Sequence, residues 1–206
     1  RQLHIRKKII LKSLTKAKLN HMKHKCFLLP LLLLTACSPG GSSTQNSSLE
    51  VHSMGLDRVI LYANCTTIVC TDGFANDGDI WMTDIPMEKV ISGDFSNGQI
   101  IHFQILWTPV AGKTPLASTS TNMTIKHLII SDGVVGVYGG GGFCWKSGTP
   151  AKGMVLHIED ATIALQSESN NFTDLLSPAT MVGSISSVSN TQIANKISNA
   201  AYRILQ

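Results

Sequence analysis

Residues 99–108 alternate along their whole length. Ile101, Phe103, Ile105 and Trp107 fall on one side of an extended chain, and Ile100, His102, Gln104 and Leu106 on the other. That period of two belongs to a β-strand. A lone strand or hairpin is not stable in water, so the chain has to supply partners of the same kind. Residues 57–64 set Val59 and Leu61 against Ile60 and Tyr62, apolar on both faces as in a central strand. Residues 80–83 form a short strand that Asp84, Ile85 and Pro86 interrupt. Residues 124–130 and 134–138 flank Asp132-Gly133, a pair suited to the type I′ turn of a hairpin. Residues 154–166 make a long β segment with Glu159 and Asp160 in its middle, where a bulge or bend is expected. Residues 181–188 supply a last strand.

The end of the chain changes period. Ile193, Ile197, Ala200, Ala201, Ile204 and Leu205 recur at helical spacing. Ser189 with Gln192 has the spacing of a capping box. The predicted fold class is therefore all-β, an antiparallel sandwich or small barrel with a C-terminal amphipathic helix. The helix should lay its apolar stripe on a mouth or face of the β structure.

A different kind of segment lies ahead of the strands. Residues 22–37 read Met-Lys-His-Lys-Cys-Phe-Leu-Leu-Pro-Leu-Leu-Leu-Leu-Thr-Ala-Cys. A basic head precedes an apolar run that is shorter than the roughly 20 residues of a membrane-crossing helix. The run ends in Leu34-Thr35-Ala36-Cys37. This segment resembles a bacterial lipoprotein signal peptide with its lipobox. The resemblance implies that the Cys37 sulfur receives a diacylglyceryl group, that cleavage follows Ala36, and that the new amino terminus is acylated. Two or more acyl chains anchor a protein stably where one does not. Ser38 after the cysteine, in place of Asp, implies sorting to the outer membrane on its periplasmic side.

Four stretches follow from this reading. Residues 1–21 precede the first methionine and are expected to be an upstream extension that plays no part in the fold. Residues 22–36 are the signal peptide. Residues 37–50 are the lipidated cysteine and a flexible tether rich in Gly and Ser. Residues 51–206 are a single β-rich domain.

The whole-chain charge of +4 conceals an uneven distribution. Nine of the 17 Lys and Arg residues lie before Cys37, and all 13 acidic residues lie after it. From Cys37 onward the chain holds eight basic residues (17 less nine) against 13 acidic ones. No Lys or Arg cluster remains there, which argues against nucleic acid as a partner. Once Cys37 is lipidated, Cys65, Cys70 and Cys144 are left. An oxidising compartment permits one disulfide and leaves one thiol over. Either Cys65 pairs with Cys70, or Cys144 takes one of them.

Three groups of residues are candidates for chemistry. Tyr138, Gly139, Gly140, Gly141, Gly142, Phe143 and Trp145 combine a glycine run with aromatics. Such a run marks a wide turn, a bulge or a backbone that something approaches closely, and pockets are often aromatic-lined. Asp72, Asp77 and Asp79, with Gly73 and Gly78, offer hard oxygens for calcium, although their spacing departs from the EF-hand and Asp-Gly turns read the same way. His102, His127 and His157 lie on separate predicted strands, and their convergence on the acidic loop would make a metal-assisted or hydrolytic enzyme.

Other motifs point nowhere. Neither Gly-x-Ser-x-Gly nor His-Glu-x-x-His occurs. Gly112-Lys113-Thr114 lacks the earlier glycine of a phosphate loop and runs into Pro115. No cofactor is expected. The leading expectation is a membrane-anchored envelope lipoprotein that binds a small ligand or an envelope partner without catalysis. The alternatives are the enzyme just described and a structural scaffold at the membrane, marked by an apolar patch.

Overall fold

The computed structural model describes residues 47–56, 60–73, 76–114, 117 and 119–206. The lipobox, Cys37 and most of the tether lie outside the described residues, as do Asp57, Arg58 and Val59 of the expected first strand. Strands β1 (Glu50–Ser53), β2 (Ile60–Tyr62), β3 (Thr67–Cys70) and β4 (Gly78–Thr83) come first. Helix α1 (Met87–Ser92) and strands β5 (Gly98–Ile105), β6 (Met123–Ser131), β7 (Val134–Thr149), β8 (Gly153–Glu168) and β9 (Ala179–Ser189) follow. Helix α2 (Thr191–Ile204) ends the chain. The class is all-β with a C-terminal helix, as the alternation predicts.

Strands β3 to β9 pair each with the next, and β9 pairs back with β3, which closes the ring. β9 runs antiparallel to β8 from Ala179 to Ser187. Its last residues pair in parallel with β3, Val188 beside Val69 and Ser189 beside Cys70. Seven strands thus form a closed barrel, and closure removes the exposed edges that an open sheet would leave. The β1–β2 hairpin fills the rest of β9's second edge, with Val51 opposite Met181. Ser47, placed in the tether by the sequence, is bridged to Ile185.

Alternation divides the strands between two cores. Ile101, Phe103 and Ile105 of β5 point inward with Ile80, Met82, Met123 and Ile125, and fill the barrel. Ile100, Trp81 and Leu128 point outward and are roofed by the two helices. Ala194, Ile197, Ala200 and Ala201 make the buried stripe of α2. The alanines let the helix sit close to the sheet, and Ile197 alone contributes about 1.5–3 kcal/mol by burial. The helix therefore covers an outer face of the barrel, one of the two expected placements.

Local chemistry fixes the turns. Asp132 and Gly133 both have positive φ, 50° and 78°, as a type I′ hairpin requires. The register of β8 against β9 shifts between Ile158 and Ala161, the bulge expected at Glu159-Asp160. The cap of α2 is Asn190, not Ser189. Its side-chain oxygen accepts the Ile193 N–H at 3.1 Å, and Ser189 hydrogen-bonds Asp72 instead.

Further expectations are corrected. The strand expected at 57–64 is not central: its described part, β2, is at the sheet edge with Ile60 and Tyr62 exposed. The glycine run is not a wide turn: Gly139 to Gly142 lie inside β7, paired on both sides with β6 and β8. Of the three readings, the close backbone approach is the one that holds. Cys65, Cys70 and Cys144 form no disulfide; all three are free and buried. The extended run Thr67–Cys70 covers roughly 10 Å at about 3.3 Å per residue and carries Cys70 away from Cys65. A bridge tolerates a Cα separation of only about 7 Å. Burial pushes the Cys144 thiol up to about 12 and raises those of Cys65 and Cys70, so none is a reactive thiolate at neutral pH.

Candidate functional site

The barrel is not packed to both ends. Near the β6–β7 turn and the β8–β9 connection a cleft of about 510 Å3 reaches the interior. Ile129 of β6 and Tyr138 of β7 line it from the barrel wall. Ile60 and Leu61 of β2 and Phe172 and Leu176 of the β8–β9 connection complete it. Inward alternation along β6 is what delivers Ile129 here, two residues beyond His127 and four beyond Ile125.

The β8–β9 connection is held by one carboxylate. Asp174 Oδ1 accepts the Leu176 N–H at 2.9 Å, the Ser177 N–H at 3.0 Å and the Tyr138 hydroxyl at 2.8 Å. Burial opposes the charge on Asp174, but the Ser177 and Leu176 N–H groups and the Tyr138 hydroxyl outweigh it and hold the carboxyl below its ordinary range. Burial, followed by the acceptor Asp174, raises the Tyr138 hydroxyl, which therefore stays a donor. Phe172 stands edge-on to Tyr138 at 6.2 Å and 67°, an arrangement that favours aromatic contact. The cleft wall is in this way preorganised, with its buried polar groups already paired.

The rim is apolar as well. Ile60 is 43% exposed and Leu175 54%. The β1–β2 turn is tied to the same end by the Met54 N–H on the Pro178 carbonyl at 2.7 Å, and Met54 and Leu56 are exposed beside it. Ile60 and Leu175 thus stand as exposed large side chains at the opening of the cleft.

A second polar chain lies inside the barrel. Gln99 Nε2 donates to Asp84 at 3.2 Å, which turns Gln99 Oε1 toward His127 Nε2 at 2.9 Å. His127 Nε2 is thus the donor nitrogen, and Nδ1 is buried without a hydrogen-bond partner. Burial lowers the His127 pKa to about 3, so the ring is neutral.

The residues singled out by the sequence do not gather at one place. Tyr138 lines the apolar cleft. Gly140 lines a polar groove on the outer face of the barrel, and Gly141, Gly142 and Phe143 border a separate hollow of about 150 Å3. Trp145 lies flat on His157, 5.3 Å between ring centroids. Strand β7 is simply long enough to pass all of these.

The acidic loop and the histidines do not converge either. Asp72 bonds Ser189, whereas Asp79 pairs with His102 at 2.7 Å. No group of three or more His, Cys, Asp or Glu side chains is placed to hold a metal among the described residues. His102 is on the outer face, His127 in the interior and His157 against Trp145, so the histidine constellation is not formed. Alternation is the reason: His102 is out of phase with the inward Ile101 and Phe103, whereas His127 is in phase with Ile125 and Ile129.

Sequence reasoning missed Ile129, Phe172, Asp174 and Leu176, which carry no local motif. Comparison with protein-family models, with curated proteins and with solved structures finds no match to this chain. No helix among the described residues is long and apolar enough to cross a membrane.

Proposed function

We propose that this chain is an envelope lipoprotein, anchored through Cys37, that takes an apolar ligand into the mouth of its barrel. The observation that carries the reading is the cleft beside Tyr138 and Ile129. Its 510 Å3 falls within the range of small-molecule sites. Apolar walls select an alkyl or ring system, since the Tyr138 hydroxyl and Asp174 already satisfy each other. Ser131, Asp132 and Thr173 at the opening are left to meet a polar head.

Dansylundecanoic acid is a suitable probe, because its alkyl chain fits the walls and its fluorescence reports burial. The wild-type protein is expected to bind it saturably at micromolar concentration, a free energy of about −8 kcal/mol. Ile129→Trp, which fills the cleft, should weaken that at least about tenfold, or about 1.4 kcal/mol. Leu175→Glu, at an exposed rim position that folding does not require, should weaken it in the same direction. Unsaturable binding, or binding indifferent to both variants, would remove the reading.

The anchor rests on the resemblance of residues 22–37 to a lipoprotein signal peptide. Expressed in a bacterium with a lipoprotein pathway, the full chain should partition with membranes and Cys37→Ser should not. Equal partitioning of the two would contradict lipidation at Cys37.

A further inference from the structure

The outer face of the barrel carries a second depression, of about 690 Å3, and its chemistry is the opposite of the cleft's. α2 roofs only part of this face. Its apolar stripe covers Ile100 and Leu128, while Asn195, Ser198 and Tyr202, at helical spacing, border the uncovered part. From the sheet come Asp79, His102, Gln104 and Lys126, on adjoining strands in matching register. Gln166 of β8 closes the far side.

His102 and Asp79 are held in place. His102 lies flat on Trp81, 3.9 Å between centroids and 7° from parallel. Its Nε2 donates to Asp79 at 2.7 Å, since the carboxylate only accepts. Burial lowers the His102 pKa, opposed by Asp79 and reinforced by Lys126, so the ring is neutral at neutral pH. Gln104 Oε1 accepts the Thr124 hydroxyl at 3.4 Å. Gln166 lies over Gly139, where a Cβ would stand 2.1 Å from its amide carbon.

We infer that this groove binds a neutral saccharide, its hydroxyls paired with Asp79, Gln104 and Gln166 and one sugar face laid on Tyr202. The carboxylate accepts and the amides both accept and donate, which together suits vicinal hydroxyls. The carboxylate of Asp79 is offset by the ammonium of Lys126, so the groove has no net charge with which to select an ion. Tyr202 is 62% exposed and supplies an apolar platform. A peptide strand is the poorer fit. β4 to β7 are paired on both sides, so the sheet offers no free edge for main-chain addition.

The test is calorimetric titration of the folded protein with triacetylchitotriose, cellotriose and maltotriose, and with triasparagine as the uncharged peptide. At least one trisaccharide should bind with a Kd under about 1 mM, weakened about tenfold or more by Tyr202→Ala and by Gln104→Ala. Both positions are solvent-facing, and circular dichroism would verify that the variants fold. Ile129→Trp should leave saccharide binding intact, which separates this site from the apolar cleft. No saccharide binding up to about 10 mM, binding that both groove variants leave unchanged, or binding of triasparagine alone would each overturn the inference.

Discussion

Gly142→Ala is expected to destabilise the barrel by about 3 kcal/mol or more, enough to lower the thermal midpoint by roughly 6–12 °C or to prevent folding. A Cβ at Gly142 would stand 2.2 Å from the Asp160 carbonyl oxygen and 2.4 Å from the Ala161 Cα. Gly140 is similar, with the Thr162 carbonyl oxygen at 1.9 Å. These obstacles are backbone atoms of the paired strand β8, and they cannot move without breaking the ladder. Both glycines lie across from inward residues of β6, Gly140 from Ile125 and Gly142 from Met123. β7 and β8 approach closely here, and their register shifts on either side of the run, between Val137 and Tyr138 and between Phe143 and Cys144.

Gly139→Ala is the control. The nearest atoms its Cβ would meet all belong to the end of the Gln166 side chain, which can swing away. Its cost should be under about 1 kcal/mol. Urea unfolding followed by far-ultraviolet circular dichroism measures all three. Equal losses at Gly139, Gly140 and Gly142 would show that close backbone approach is not what the glycines serve.

Acid is expected to begin destabilising the protein above the ordinary carboxylate range. His127 has a pKa of about 3 in the fold because it is wholly buried, against about 6.5 in an unfolded chain. The unfolded state therefore binds the extra proton between these values, and stability falls as pH falls from 6.5 toward 3. At about 1.4 kcal/mol per unit, the loss approaches roughly 5 kcal/mol at the acid end, a large part of a typical domain's stability. His102, also lowered chiefly by burial, adds in the same sense. Asp174, held below its ordinary range by the hydrogen bonds it accepts, contributes above the carboxylate range and loses that contribution only at still lower pH. His127→Gln keeps a neutral donor toward Gln99 and cannot titrate. Urea midpoints from pH 7 to about pH 4 should fall steeply in the wild type and less in the variant. Parallel curves would contradict the assignment to His127.

The legibility of the chain follows from how local each signal is. β5 and α2 could be read because a strand or helix that buries one regular face must repeat that face in sequence. The β6–β7 hairpin was marked by Asp132-Gly133, whose backbone requirement few other pairs meet. β3 gave no such sign. Ile68, Val69 and Cys70 are all buried, because the strand is enclosed between the barrel interior and the helix roof, so no alternation survives. α1, six residues long, is too short to show a period. The glycine run admits a wide turn, a bulge or a close backbone approach; the structure holds the third, and that the approaching backbone is β8 is a tertiary fact no local signal carries.

The cleft was harder still. Tyr138 was singled out for its place beside the glycines. Ile129 on β6 and Phe172 and Leu176 in the β8–β9 connection come from separate parts of the chain and meet only through the fold. Asp174 lies in an ordinary-looking polar connection, and its role depends on a hydroxyl 36 residues away. The polar groove is hidden for the same reason, since His102 and Tyr202 are a hundred positions apart in the chain.

The most direct measurement is methyl-resolved NMR of the folded protein with doxyl-stearic acid, whose nitroxide broadens nearby resonances. A ligand in the barrel mouth should broaden the methyl signals of Ile129, Leu61 and Leu176 and spare those of Ile197 beneath the helix roof. Broadening spread evenly over the surface, or confined to methyls away from Tyr138, would contradict a binding cleft at the mouth of the barrel.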